Sequence, residues 1–270
     1  MLQLLEIWVY PIKSLSGISL KQSQVTSRGL ELDRRWMLVD DSGIFITQRE
    51  YPQLALFQVQ IIDGFLLVTH SNFIGERVKI SLSQKNDNSR VKVVVWEDEV
   101  EAILVDEGIS NWFSKILGFS VRLVYMPEES HRKVDSKYAV SVGDITSFSD
   151  GFPFLIIGQT SLNDLNSRLD NPISIKRFRP NFVFTGGKAY EEESWKEFHI
   201  GSLIFYGVKP SGRCVITTVN PELGQFAGKE PLLTLSKYKK VEKKVIFGQN
   251  VIAKNQGILE IGQEIFVVRK

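Results

Sequence analysis

The stretch Leu56-Phe57-Gln58-Val59-Gln60-Ile61-Ile62, then Asp63-Gly64, then Phe65-Leu66-Leu67-Val68-Thr69 decides the fold class. Two apolar, β-prone runs flank a dipeptide that tolerates positive φ at both positions, which is what a tight hairpin demands. The same punctuation recurs on both sides. Upstream, Leu4–Tyr10 is apolar and aromatic, and Ile18–Val25 alternates apolar with polar residues as a half-buried strand does. Trp36–Val39 ends in the turn signal Asp40-Asp41-Ser42-Gly43, and Ile44–Thr47 reads as its returning partner. Downstream, Val91–Trp96 and Val100–Val105 form a further expected pair after a polar loop at Ser83–Arg90. Later strands are expected at Val121–Tyr125, Phe182–Thr185, Ser202–Val208, Cys214–Val219, Val251–Ala253 and Gln263–Val268. Gly257, Gly262 and the turn-rich spacing suit a closed or nearly closed barrel.

Only two helices stand out. One is expected from Ser110, with Trp112, Phe113, Ile116 and Leu117 as its apolar stripe and Gly118 as its stop. The other is expected from about Thr160 to Leu169, with Asn171-Pro172 ending it. The polar segment Met126–Ser136 is the expected boundary, giving domains at 1–125 and 126–270. The fold class is therefore α+β and β-rich, with two interlocking β domains.

Bulk properties exclude more than they specify. The 270 residues carry 33 Lys and Arg against 31 Asp and Glu, a net charge of +2, so no whole-molecule field selects nucleic acid or membrane. The single cysteine, Cys214, rules out an internal disulfide, a multi-cysteine zinc site and an iron–sulfur cluster in this chain. His70, His131 and His199 lie too far apart for ligand spacing. The first residues lack the pattern of a signal peptide, and no run reaches the ~18–20 apolar residues that span a bilayer, so the expected setting is cytoplasmic and reducing.

Four clusters could carry chemistry. Cys214 follows Pro210-Ser211-Gly212-Arg213 and opens a β-branched run, which places it where a loop feeds a strand. A lone cysteine is commonly a small buried hydrophobe, but the adjacent Arg213 favours a thiolate and Gly212 allows close approach. Phe178-Arg179-Pro180-Asn181, behind Lys176 and Arg177, is either a solvated basic turn or an anion clasp. Tyr10-Pro11-Ile12-Lys13-Ser14 presents a cation and a hydroxyl after a strand, and also reads as an ordinary strand-ending turn. Gly29 to Trp36 contains Arg34, with Thr47 and Arg49 on the expected hairpin partner. No nucleophile elbow, zinc-protease helix, Walker loop or dinucleotide fingerprint is present. Glu97, Asp98 and Glu99 fall on an expected turn.

Taken in order, these segments resemble the MOSC proteins, which share a domain with the C-terminal part of molybdenum cofactor sulfurase. The branch most similar holds the YcbX-type proteins and the mitochondrial amidoxime-reducing component. The similarity runs through Tyr10–Ser14, Gly29-Leu30, Asp33–Trp36 and Thr47–Arg49. It continues through Ser161–Asn166, Phe178–Asn181, Ser194-Trp195, Arg213-Cys214, Thr217–Val219, Lys229–Leu232 and Phe247–Asn250.

The resemblance implies an N-terminal β-barrel-like domain packed with a C-terminal MOSC β-barrel. It implies a molybdenum cofactor held through a pterin dithiolene, with Cys214 as metal ligand, a soft thiolate being suited to such a metal. It assigns Lys13, Ser14, Arg34, Arg179 and Asn181 to the pterin and its phosphate. Gly212, Arg213 and Asn250 fall at further cofactor positions, and Asp150 and Gly151 would add backbone contacts. Arg213 would also act beside Cys214 in catalysis.

The implied reaction is reduction of N-hydroxylated or N-oxide-type compounds, with the alternative of a carrier of cofactor or of persulfide sulfur on Cys214. A plain β-barrel binding module is the third reading. The chain shows neither the C-terminal ferredoxin-like domain nor the N-terminal membrane anchor of some relatives. Electrons are therefore expected from a separate ferredoxin- or flavoprotein-type donor, and the other partner is a small-molecule substrate.

Overall fold

The computed structural model describes residues 1–84 and 89–270, so the centre of the expected Ser83–Arg90 loop lies outside the described residues. The opening hairpin forms in the expected register, from Phe57↔His70 to Ile62↔Phe65. Asp63 and Gly64 take φ of 49° and 81°, the two positive values the turn requires. Arg77–Ser81 adds a third strand to this sheet. A second sheet runs Trp36–Val39, Arg122–Tyr125, Asp98–Leu104, Arg90–Val95.

One apolar cluster joins the three-stranded sheet to the helix Glu107–Leu117 through Phe57, Leu66, Phe113 and Leu123. The helix begins a turn earlier than expected, because Asp106 caps it by accepting from the amides of Gly108 and Ile109. Ser110 is instead buried inside the helix, where its hydroxyl accepts from the Leu123 amide at 3.1 Å. Gly118 ends the helix in the left-handed conformation, as expected.

The second half is built on a closed ring of seven strands. Going round, they are Phe154–Gly158, Phe182–Thr185, Leu2–Val9, Glu264–Arg269, Glu197–Ile200, Leu203–Arg213 and Lys244–Ala253, which pairs back to Phe154–Gly158. The interior is aromatic: Phe154, Phe182, Phe184, Trp195, Phe198 and Phe205 are all buried in one cluster. The ring takes its third strand from the N-terminus, and Gly257–Glu260 pairs with Gln22–Thr26. The two halves are thus interlocked by main-chain ladders, as the β-rich α+β reading expects.

Three expectations are corrected. The strand expected from Cys214 to Val219 is absent: Leu203–Arg213 ends before Cys214, and Val215–Thr218 is a 3-10 turn. Cys214 therefore lies where a strand feeds a turn. The second helix spans Gln159–Asn166 and carries no side-chain cap. Strands at Phe154–Gly158 and Glu197–Ile200, and the short helix Leu232–Tyr238, were not expected.

Instead of capping that second helix, the Ser161 hydroxyl donates to the fully buried Glu192 carboxyl at 2.9 Å, and the Gly158 amide donates to it at 3.1 Å. Burial outweighs these bonds and pushes the Glu192 carboxyl up to about 7. With the folded value above the unfolded one, the contribution of Glu192 to stability is greatest below about 4.5 and declines as pH rises to about 7. Glu192→Gln is expected to flatten that decline. Thermal melts at pH 5 and pH 7.5 check it, and parallel losses in both proteins would remove Glu192 as the cause.

Candidate active site

Where the two halves meet, loops from both line one cavity of about 810 Å³. Every residue that the resemblance assigned to the site lies on its wall: Lys13, Ser14, Arg34, Asp150, Gly151, Arg179, Asn181, Gly212, Arg213, Cys214 and Asn250. Ten Lys and Arg side chains line it against four Asp and Glu, on a chain whose net charge is only +2. The local excess makes this an anion-attracting recess in a near-neutral protein.

The cations are held by named partners. Lys13 is buried, and its ammonium donates to the Phe148 carbonyl at 2.7 Å and to Asp150 Oδ1 at 2.8 Å. Arg34 donates to the buried Asp33 carboxylate at 2.6 Å and to the Arg179 carbonyl at 3.2 Å. Arg34 and Arg179 each stack on the Tyr10 ring, at 4.3 and 4.2 Å from its centroid. Asn181 is buried and ties the cavity wall to the barrel, accepting from the Leu155 amide and donating to the Trp8 carbonyl. Arg179 differs from the rest: one of its terminal nitrogens is buried without a hydrogen-bond partner. An unpartnered buried guanidinium nitrogen is costly and is met where a ligand supplies the acceptor.

Backbone strain gathers here too. Among the described residues eight non-glycine positions have left-handed φ, and Ser14, Arg34, Trp96 and Arg179 all line the cavity. Each costs on the order of 1–3 kcal/mol, so the surrounding structure must over-determine them.

Cys214 is half-buried at the end of its strand. Its carbonyl accepts from the Thr217 amide and hydroxyl at 3.1 and 3.0 Å, which fixes the turn while leaving the thiol to the cavity wall. The Arg213 guanidinium donates to the carbonyls of Phe247 and Phe178, so its hydrogen bonds serve the backbone. Burial lowers it to about 10, against the opposing pull of Cys214 and Asp150. Gly212 has neither a left-handed φ nor a neighbour closer than 3.5 Å to an added Cβ, so the protein itself does not require glycine there. Gly248 is required: its φ is 77°, and a Cβ would meet Ile157 at 2.6 Å.

Sequence reasoning named Arg49 beside Arg34 without giving it a role, and left Trp96 and Arg132 outside the site. Arg49 lies over the Trp96 ring at 4.3 Å and faces Asp150 at 3.6 Å. Arg132 donates to Asp98 at 2.6 Å and to the carbonyls of Ser147 and Asp150, which holds the Ser147–Asp150 loop against the hairpin tip. Asp98 is thereby a structural partner.

Desolvation acts to raise the Asp150 carboxyl, but Lys13, Arg49 and Arg34 outweigh it and hold it below the usual carboxylate range. Burial lowers the Lys13 ammonium to about 8, against the restoring pull of Asp150. Folded Lys13 thus binds fewer protons than the unfolded chain between about 8 and 10.5, and its burial penalty is relieved as pH rises through that window. Sulfate affinity for the cavity is accordingly expected to fall as pH rises through about 8. In Lys13→Arg, whose charge persists, the fall should vanish. Titration calorimetry checks this, and identical pH profiles in the two proteins would assign the fall to another group.

Among the described residues no group of three or more His, Cys, Asp and Glu is placed to hold a metal ion. Nor is any helix there long and apolar enough to cross a membrane.

The family model for the MOSC N-terminal beta barrel domain matches residues 1–120, and that for the MOSC domain matches residues 143–266. The mitochondrial amidoxime-reducing component 1 of Homo sapiens is 30% identical over 281 residues, covering 97% of this chain and 82% of that protein. The Mus musculus protein of the same name is 31% identical, with 97% and 81% covered. The molybdenum cofactor sulfurase of Oryza sativa subsp. japonica is 28% identical across 98% of this chain, which spans 35% of that longer protein.

Proposed function

This chain belongs to the MOSC family, and from that premise we propose that it is a molybdenum-cofactor-binding oxidoreductase that reduces N-hydroxylated compounds. The observation that carries the reading is the pairing, in one cavity, of a lone half-buried thiol with a cation cluster whose Arg179 has a buried nitrogen unpartnered. A single thiolate outside any cluster of three or more ligands among the described residues suits a metal that arrives with its other ligands already in place. The donor set therefore fits a phosphate-bearing, sulfur-ligated molybdenum cofactor. When bound, that group supplies two-electron chemistry at the N–O bond.

The chain's own residues do the rest. Cys214 would provide the metal ligand on a turn fixed by Thr217. Lys13, Ser14, Arg34 and Arg179 would hold the pterin phosphate, with Asn181 setting the position of Arg34 and of the Leu155 backbone. Asp150 and Gly151 on one side, and Gly212 and Asn250 on the other, would line the pterin. Arg213, bonded to the Phe247 and Phe178 carbonyls, would fix the strand end that presents Cys214 and place a positive charge near the metal. Overall, an N–OH group, two electrons and two protons give N–H and water, with the electrons drawn from a separate donor protein.

The similarity to plant molybdenum cofactor sulfurases favours a second reading, a carrier of cofactor or of sulfur as a Cys214 persulfide. Molybdenum per chain in freshly purified protein, followed by turnover of a hydroxylamine or amidoxime with a chemical reductant, separates the two. Near-stoichiometric metal with turnover is expected. Metal without turnover would overturn the reductase in favour of the carrier, and protein from a cofactor-competent host with no metal would overturn both.

A further inference from the structure

A second, smaller cavity of about 270 Å³ lies behind the first, and the two share Arg177, Arg179 and Ile216. We propose that it is a separate binding site for a small tetrahedral oxoanion. Lys176, Arg177 and Arg179 line it against one carboxylate, Glu222. Tyr10 lines this cavity and not the larger one, and its buried hydroxyl finds no partner. Arg179 lines both cavities, so its unpartnered nitrogen does not decide between them, whereas the Tyr10 hydroxyl belongs to this one. A buried hydroxyl without a partner beside a net positive lining is the complement of an anion rather than of an apolar ligand.

The space is built, not incidental. An added Cβ on Gly17 would fall 2.4 Å from the Tyr10 ring, so glycine at 17 is what lets the ring lie where it does. Arg34 and Arg179 clamp that ring through its π system. The far wall includes Ile216 and Val219, at and just after the turn that Cys214 opens. Arg177 reaches the carbonyls of Thr217 and Thr218 at 3.5 and 3.4 Å. An anion drawn to Arg177 would therefore compete with those long bonds and register at the Cys214 turn. This site stands whether or not the molybdenum reading does.

Calorimetric titration of the full chain with inorganic phosphate, at fixed pH and ionic strength, tests it. Wild-type protein without cofactor is expected to show two classes of site. Lys13→Gln, which removes a buried cation that lines only the larger cavity, should weaken one class and leave the other. In that background Tyr10→Phe, which keeps the ring and removes only the hydroxyl, should weaken the remaining site about tenfold. Lys176→Gln, at an exposed position, should weaken it as well, with an unchanged thermal melt. Loss of all binding in Lys13→Gln would overturn the proposal, as would residual binding indifferent to both further substitutions.

Discussion

Cys214→Ser is expected to abolish N-reductive turnover and to strip molybdenum from the protein while leaving the fold intact. The exchange is nearly isosteric, and the backbone bonds that fix the turn do not involve the sulfur: the Thr217 amide and hydroxyl both reach the Cys214 carbonyl. The stability cost should therefore stay within about 1 kcal/mol, as for substitutions outside a well-packed core. Metal retention should fall by more than the roughly 10–100-fold that loss of an outer partner costs at metal sites, because the ligand itself is replaced by a harder donor. Metal analysis and a thermal melt on the same preparation read both quantities. Undiminished turnover would sink the ligand assignment, and a collapsed melt would return Cys214 to the role of a packing residue.

The largest stability effect is expected at Asp33. Its carboxylate is buried, accepts from the Tyr10 amide at 2.8 Å and pairs with the largely buried Arg34 guanidinium at 2.6 Å. Asp33→Ala would leave a buried cation and a buried amide without their acceptor, which costs about 3–5 kcal/mol where one partner of a buried pair is removed. The damage should spread to the site, since Arg34 stacks on Tyr10 and bonds the Arg179 carbonyl. Urea unfolding measures the loss, and phosphate titration of the folded fraction measures the site. A loss below about 1 kcal/mol would mean that water or a shifted side chain replaces the carboxylate.

The residues that proved legible in sequence are those whose chemistry is local. Arg179 sits in a run of cations, and Lys13 and Arg34 lie in short segments whose resemblance to known proteins carried them. Their convergence on one wall was not readable from any spacing, but followed from that resemblance. Trp96 and Arg132 escaped, and Arg49 went without a role, because their partners are distant: Arg132 meets Asp98 34 residues back and Ser147 15 residues on. No composition or periodicity encodes such a meeting.

The Cys214–Val219 error has a different origin. A β-branched run normally packs as a strand, but strand propensity yields to context. Here the Thr217 and Thr218 hydroxyls each bond back three residues, to the Cys214 and Val215 carbonyls, and local side-chain bonds of that kind compete with a ladder. The Asp63-Gly64 hairpin was readable for the opposite reason: its turn chemistry and its ladder agree.

The seven-strand ring bears on how the molecule is made. Leu2–Val9 pairs through Leu2 and Gln3 with Ile265 and Glu264, at the far end of the ring in sequence. The ring cannot close until Glu264–Arg269 has been made, and Leu2–Val9 must wait until then with its apolar face uncovered. Contacts of such sequence separation make folding slow and expose intermediates to aggregation. Neither half expressed by itself would contain a complete ring, and deleting the first nine residues should be as damaging as deleting the last strand. Refolding from urea is accordingly expected to lose more protein to aggregation as the chain concentration rises.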